Sequence, residues 1–187
     1  MGNGALNRPA VFLDRDGVIN EAVVRAGKPY PPATVADVRI VPQAQKALER
    51  LRTEGFLLIV VSNQPDVGRG TQSRAEVEAI NQLLRAELPL DEIVICPHDD
   101  ADGCACRKPK PGMILDAARK HGVDLARSFL IGDRWRDIDA GRRAGLATVF
   151  LDYGYDEKRP DPPADLTTSD LQGAVSWILK EGSYAIQ

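Results

Sequence analysis

The stretch Ala10-Val11-Phe12-Leu13-Asp14-Arg15-Asp16-Gly17 decides the fold. Four apolar residues rich in β-formers stop abruptly at two aspartates and a glycine, as a buried strand does where it delivers acidic groups to a sheet edge. The same pattern recurs downstream. The continuous apolar run Leu57 to Val61, typical of a strand covered on both faces, ends at Ser62-Asn63-Gln64. Ile93-Val94-Ile95 leads into Cys96, Phe129-Leu130-Ile131 ends at Gly132-Asp133, and Ala147 to Leu151 supplies a fifth strand.

Helical spacing fills the intervals. Ala44, Ala47, Leu48 and Leu51 recur after Pro42, with Gly55 where a C-terminus would place it; further helices are predicted from about Ser73 to Ala86, from Pro111 to about Lys120 before Gly122, from Trp135 to Arg143 and from Leu171 to Leu179. The segment from about Asn20 to Val41, with Pro29, Pro31 and Pro32, has no period and reads as a loop or flap. Strands alternating with helices over short connections imply an α/β, three-layer, Rossmann-like parallel sheet with helices on both faces. Ligands bind such sheets beyond the carboxyl ends of the strands, so the polar residues ending strands one, two and four are candidates for one shared site.

With 187 residues the chain can bury one good core, and a single domain over residues 1–187 is expected. Neither the flap nor the cysteine-bearing loop is long enough for a separate cap domain, so the site should be open. The content of 43% hydrophobic and 27% charged residues is that of an ordinary globular protein. No apolar run approaches the roughly 18 residues a membrane span needs, and residues 1–8 lack the apolar stretch of a signal peptide. The expected location is the cytoplasm. A formal charge of -3 argues against a nucleic-acid partner, and a monomer with neither nucleic-acid nor membrane partners is expected.

Asp14 and Asp16 can be aimed at one small volume, because Gly17 lets the chain turn behind them. Two anions there call for a cation. Asp133 arrives from the end of strand four, and a cluster of hard oxygen ligands with room for phosphate and water suits Mg²⁺. All three cysteines, Cys96, Cys104 and Cys106, fall within eleven residues together with His98. Three thiolates and an imidazole form a complete tetrahedral set for structural Zn²⁺ in the loop 96–106, whereas disulfides would not need such clustering. Cys106 is followed directly by Arg107 and Lys108, so a metal-pinned loop should hold both side chains over the site.

These motifs resemble those of the haloacid dehalogenase superfamily of phosphatases: Phe12-Leu13-Asp14-Arg15-Asp16-Gly17, Val61-Ser62-Asn63, Arg107-Lys108-Pro109, and Ile131-Gly132-Asp133 with Asp137, in order over about residues 10 to 152. The resemblance implies that Asp14 is a nucleophile forming an aspartyl-phosphate, with Mg²⁺ held by Asp14, Asp133 and the backbone carbonyl of Asp16. Asp16 would protonate the leaving group and then activate water, while Ser62 and Lys108 stabilise the phosphoryl group. Asp137 would orient Asp133 or the waters of the metal.

The run Cys106-Arg107-Lys108-Pro109-Lys110-Pro111-Gly112-Met113 looks like one subgroup, the heptose 1,7-bisphosphate phosphatases and the related histidinol-phosphate phosphatases. By that resemblance Asn63 and Arg107 contact the substrate, a small phosphorylated sugar, and the expected reaction removes the 7-phosphate of heptose 1,7-bisphosphate. Histidinol phosphate or another small phosphomonoester is the alternative substrate, and an inactive zinc-stabilised binding module the alternative class. Two stretches depart from the heptose pattern: Gln64-Pro65-Asp66-Val67-Gly68-Arg69-Gly70, and Arg134-Trp135-Arg136, where Trp135 is expected to pack in the core, with stacking on a sugar as the alternative.

Overall fold

Alternate side chains of β1 (Ala10–Leu13) enter two different cores: Val11 and Leu13 one, Ala10 and Phe12 the other. A strand buried on both faces needs covering layers on both sides, and the rest of the chain supplies them. The computed structural model describes residues 8–184, so the reading of residues 1–7 lies outside the described residues. β1 sits inside a sheet with β4 (Leu57–Asn63), β5 (Glu92–Cys96), β6 (Phe129–Gly132), β7 (Ala147–Leu151) and β8 (Leu166–Thr168), in the order β5-β4-β1-β6-β7-β8. Every pairing in it is parallel.

The Val11 face carries α1 (Ala44–Thr53), α3 (Arg74–Glu87) and α6 (Leu171–Tyr184), whose buried residues include Leu48, Leu51, Ile80, Leu84, Val175 and Ile178. The Phe12 face carries α4 (Gly112–His121) and α5 (Trp135–Ala144) through Met113, Ile114, Ala117, Ile138 and Ala140. Local chemistry sets the helix ends. Ser73 Oγ accepts the backbone N–H of Glu76 at the start of α3, and Gly122 and Gly145 take left-handed conformations after α4 and α5. No helix among the described residues is long and apolar enough to cross a membrane.

β1 and β7 match their apolar runs, whereas β4, β5 and β6 are longer than theirs predict. β4 extends through Ser62 and Asn63 because their backbones still pair with Ile95 and Cys96. The segment read as an unstructured flap contains an antiparallel hairpin of β2 (Val23–Arg25) and β3 (Lys28–Tyr30), joined by Ala26 and Gly27, both at positive φ. Such a turn is announced by Asn-Gly or Asp-Gly, and Ala-Gly hides it. Two short elements also escape the periodicity reading: α2 (Pro65–Arg69), opened by its first proline, and the edge strand β8.

β1 is the switch point, with β4 on one side and β6 on the other, and the carboxyl ends of these strands carry Asp14, Ser62 with Asn63, and Asp133. Leu58, with no exposed surface, packs under this junction. Leu58→Ala should cost about 2–5 kcal/mol of stability, read from urea or thermal unfolding; a loss well under 1 kcal/mol would contradict its place in the core.

Candidate active site

The floor of the site is a buried charge cluster. Lys108 Nζ donates to Asp14 Oδ1 at 2.7 Å and to the Val61 carbonyl at 2.7 Å, and lies 2.6 Å from Asp137 Oδ1. Oxygens of Asp14, Asp133 and Asp137 all lie within 4.8 Å of one another. Three carboxylates against one ammonium leave a deficit of two positive charges when all are ionised. Burial, followed by the charge of Asp137 and Asp16, outweighs Lys108 and pushes Asp14 up to about 6. Burial and the neighbouring Asp14 and Asp137 push Asp133 well above the usual carboxylate range. Lys108 is also buried, which works against its charge, but Asp137 and Asp14 prevail and hold its pKa above the ordinary lysine value.

Among the described residues no hydrogen bond of normal geometry reaches either buried carboxylate oxygen of Asp133, which has the Tyr155 hydroxyl as a neighbour. Such an orphaned pair beside two further carboxylates fits a hard divalent cation, whose charge would close the deficit. Backbone shape permits the crowding. Gly17 has φ +93°, and a Cβ there would lie 2.0 Å from Asp133 Oδ2; a Cβ on Gly132 would lie 2.2 Å from Asp137 Cβ.

Asp16 stands to one side of this cluster. Its carboxylate accepts from Arg15 Nε at 3.2 Å, Asn20 Nδ2 at 2.9 Å and Gln64 Nε2 at 2.8 Å. Arg15 is wholly buried, and its remaining nitrogen NH1 donates to Asn81 of α3 at 3.0 Å. Gln64 Nε2 also donates to Ser62 Oγ at 2.9 Å, which leaves the Ser62 hydroxyl hydrogen free to point into the cavity that Ser62 lines. Sequence reasoning gave Arg15, Asn20, Gln64 and Asn81 no role. The available signal was chemical: a charged residue between two aspartates in a buried segment must itself find partners.

Asn63 is committed to Lys108. Its amide donates to the Lys108 carbonyl at 3.0 Å and accepts the Lys108 N–H at 3.0 Å, so the end of β4 grips the backbone of the residue that neutralises Asp14. Arg107 lines the cavity, with Nε on Asp100 at 2.8 Å and NH1 on the His98 carbonyl at 3.0 Å. Asp137, expected to orient Asp133 or the waters of the metal, lies beside Asp133, pairs with Lys108 and accepts the Arg134 N–H at 3.0 Å, capping α5. Trp135 belongs to neither core; half-buried, it lies beneath Arg136 and Lys158, each 4.8 Å from its ring centroid.

The loop above the floor gathers Cys96, His98, Cys104 and Cys106. Sulfur separations are 3.7, 3.1 and 3.4 Å, and His98 Nδ1 lies 3.5 and 3.3 Å from Cys96 and Cys106. A tetrahedral zinc with its usual bond lengths has edges of about 3.6 to 3.8 Å, so the four atoms form a slightly contracted version of that site. Neighbouring elements press against this loop: Gly68 N–H donates to the Pro97 carbonyl at 3.0 Å, Gln64 N–H to the Cys96 carbonyl at 2.8 Å, and Arg69 grips Asp99 through two nitrogens at 2.6 and 2.8 Å. Over the floor opens a cavity of about 350 Å³ whose lining includes Asp14, Asp16 and Lys108 below and Arg69, Arg107 and Arg136 above. The hairpin contributes Lys28, Pro29 and Tyr30 to its wall.

The geometry has counterparts. The sequence model of the HAD-hydrolase-like family matches residues 105–174. The D-glycero-beta-D-manno-heptose-1,7-bisphosphate 7-phosphatase of Pseudomonas aeruginosa is 33% identical over 187 residues, covering 94% of this chain and 100% of the relative. Its namesake in Rhodopseudomonas palustris is 39% identical over 158 residues, 78% of this chain and 84% of the relative. The crystal structure of D,D-heptose 1,7-bisphosphate phosphatase from B. bronchiseptica, complexed with magnesium and phosphate, is 30% identical with a TM-score of 0.76, covering 92% of this chain and 99% of that one.

Asp14 binds its proton more tightly folded, at about 6, than unfolded, at 3.8, and Asp133 shifts the same way. The metal-free fold should therefore lose stability as pH rises from about 4 through about 6. Mg²⁺ should raise the thermal midpoint clearly at pH 7.5 and little at pH 4.5. An equal response at both pH values would contradict the charge deficit.

Proposed function

The chain belongs to the HAD-like hydrolase family, and from that premise we propose that it is a Mg²⁺-dependent phosphatase removing the 7-phosphate of D-glycero-D-manno-heptose 1,7-bisphosphate. The observation that carries the reading is the buried charge cluster at the floor of the cavity: Asp14 and Asp137 share the Lys108 ammonium, Asp133 lies against both carboxylates, and the group is two positive charges short beneath a rim of arginines. The names of the heptose relatives, which this chain matches over 78% to 94% of its length, support the substrate.

In this reading the side chains of Asp14 and Asp133, with the carbonyl of Asp16, hold Mg²⁺. The ion supplies the charge that lets a phosphate dianion approach a carboxylate. Asp14 attacks phosphorus in line and the sugar oxygen departs, leaving an aspartyl-phosphate on Asp14. Asp16 protonates that oxygen as it leaves and then, as a carboxylate, takes a proton from the water that attacks the intermediate. Donors from Arg15, Asn20 and Gln64 fix the position of its carboxylate beside the cavity.

Lys108 and the Ser62 hydroxyl bind phosphoryl oxygens where charge accumulates, and Asp137 fixes Lys108. Asn63 serves substrate binding through Lys108, whose backbone it holds, and Arg107 meets the sugar or its second phosphate. Cys96, His98, Cys104 and Cys106 hold a structural Zn²⁺ that fixes the loop carrying Arg107 and Lys108. We take the enzyme to act as a cytoplasmic monomer, without nucleic-acid or membrane partners.

Phosphate release with Mg²⁺ from heptose 1,7-bisphosphate, histidinol phosphate and simple sugar monophosphates tests the substrate. The bisphosphate should be preferred about a hundredfold in kcat/KM, roughly 3 kcal/mol in the transition state; flat turnover across the panel would refute the choice. Asp14→Asn should abolish release while leaving the unfolding transition intact. Verified zinc removal should lower activity and loosen residues 96–106 in hydrogen exchange, and an unchanged rate would contradict the positioning role.

A further inference from the structure

Two guanidinium groups from different elements converge on one carboxylate at the rim of the cavity. Arg107, in the cysteine loop, reaches Asp100 Oδ1 through Nε at 2.8 Å; Arg136, in the first turn of α5, reaches Oδ1 and Oδ2 through NH1 and NH2 at 3.0 and 3.2 Å. All three residues line the cavity whose floor holds Asp14 and Lys108. The arginines are anchored independently of Asp100. Arg107 also donates to the His98 carbonyl, and Arg136 lies over the ring of Trp135.

The acid is the least committed member of the group. Its side chain is 57% exposed, against 11% for Arg107 and 27% for Arg136. The turn around it does not need its carboxylate, because Asp99 and Asp102 supply the capping: Asp99 N–H donates to Asp102 Oδ2 at 2.7 Å, and Asp100 N–H to Asp99 Oδ1 at 2.7 Å. Arg69 meanwhile secures Asp99.

We propose that Arg136, carried on Trp135, forms with Arg107 a clamp for a second anionic group of the substrate, and that Asp100 fills this clamp as a displaceable stand-in. The inference rests on the bisphosphate reading above and extends it to residues where this chain departs from the heptose pattern, Trp135 and Arg136. A carboxylate offers two oxygens to two planar forks, whereas a phosphate dianion offers three oxygens and twice the charge. An exposed ion pair holds weakly, so the dianion can displace Asp100. A substrate without a second anion leaves Asp100 in place and gains nothing from the paired guanidinium groups, so the clamp discriminates between substrates.

The test is the ratio of kcat/KM for heptose 1,7-bisphosphate to that for heptose 7-phosphate, measured for the wild type, Arg136→Met and Asp100→Asn. Arg136→Met should lower the ratio about tenfold, mostly through the KM of the bisphosphate, and Asp100→Asn should raise it severalfold through the same KM. A ratio in Arg136→Met within twofold of wild type, including equal losses on both esters as a merely structural arginine would give, overturns the clamp. A ratio in Asp100→Asn that is unchanged or lower overturns the stand-in. The same comparison on fructose 1,6-bisphosphate against fructose 6-phosphate separates the two readings: activity there with none on the heptose esters sinks the heptose assignment, while the ratio still decides the clamp.

Discussion

One ammonium group organises the site. Lys108 Nζ is held in a nearly dry position by Asp14, Asp137 and the Val61 carbonyl, each from a different segment of the sheet's carboxyl edge. Burying such a charge is costly unless it is paired, so these partners and Lys108 must be placed together or not at all. The supporting structure follows from that constraint. Asn63 grips the Lys108 backbone from the end of β4, Asp137 reaches it from the first turn of α5, and the cysteine loop delivers it from above.

The same constraint explains why the cluster suits a phosphatase. One lysine cannot neutralise three carboxylates, and burial sharpens the imbalance because water cannot screen it. Protons make up the deficit at low pH, which is the physical meaning of the raised affinities of Asp14 and Asp133. At neutral pH a divalent cation would do so better, and it would leave the carboxylate of Asp14 ionised, as the proposed nucleophile must be. Asp16, by contrast, does not touch Lys108 and sits among the donors of Arg15, Asn20 and Gln64.

Much of this was legible in the sequence because buried parallel strands are near-continuous apolar runs, and the residue that ends each run stands at the sheet's functional edge. That rule located Asp14, Ser62 and Asp133, and the concentration of cysteines located the loop. It failed where no period exists. The β2–β3 hairpin turns at Ala26-Gly27 without the usual asparagine, β8 is a short edge strand, and α2 is too short to show a repeat. Partner choice was invisible for a different reason: that Asn63 would be spent on the Lys108 backbone, Asp137 on Lys108, and Arg107 on Asp100 depends on distances between residues far apart in sequence. Trp135 shows the limit of composition, since an aromatic expected in a core serves instead as a platform for two cations.

The proposed mechanism centres on a covalent bond between Asp14 and phosphorus. Rapid quenching during turnover with Mg²⁺ and heptose 1,7-bisphosphate, followed by borohydride reduction and peptide mass spectrometry, reads this directly, because an acyl phosphate is reduced to the alcohol while free carboxylates are not. Homoserine at position 14, dependent on both Mg²⁺ and substrate, is the predicted result. Turnover with no reduction at position 14, or reduction at Asp16 instead, would contradict it.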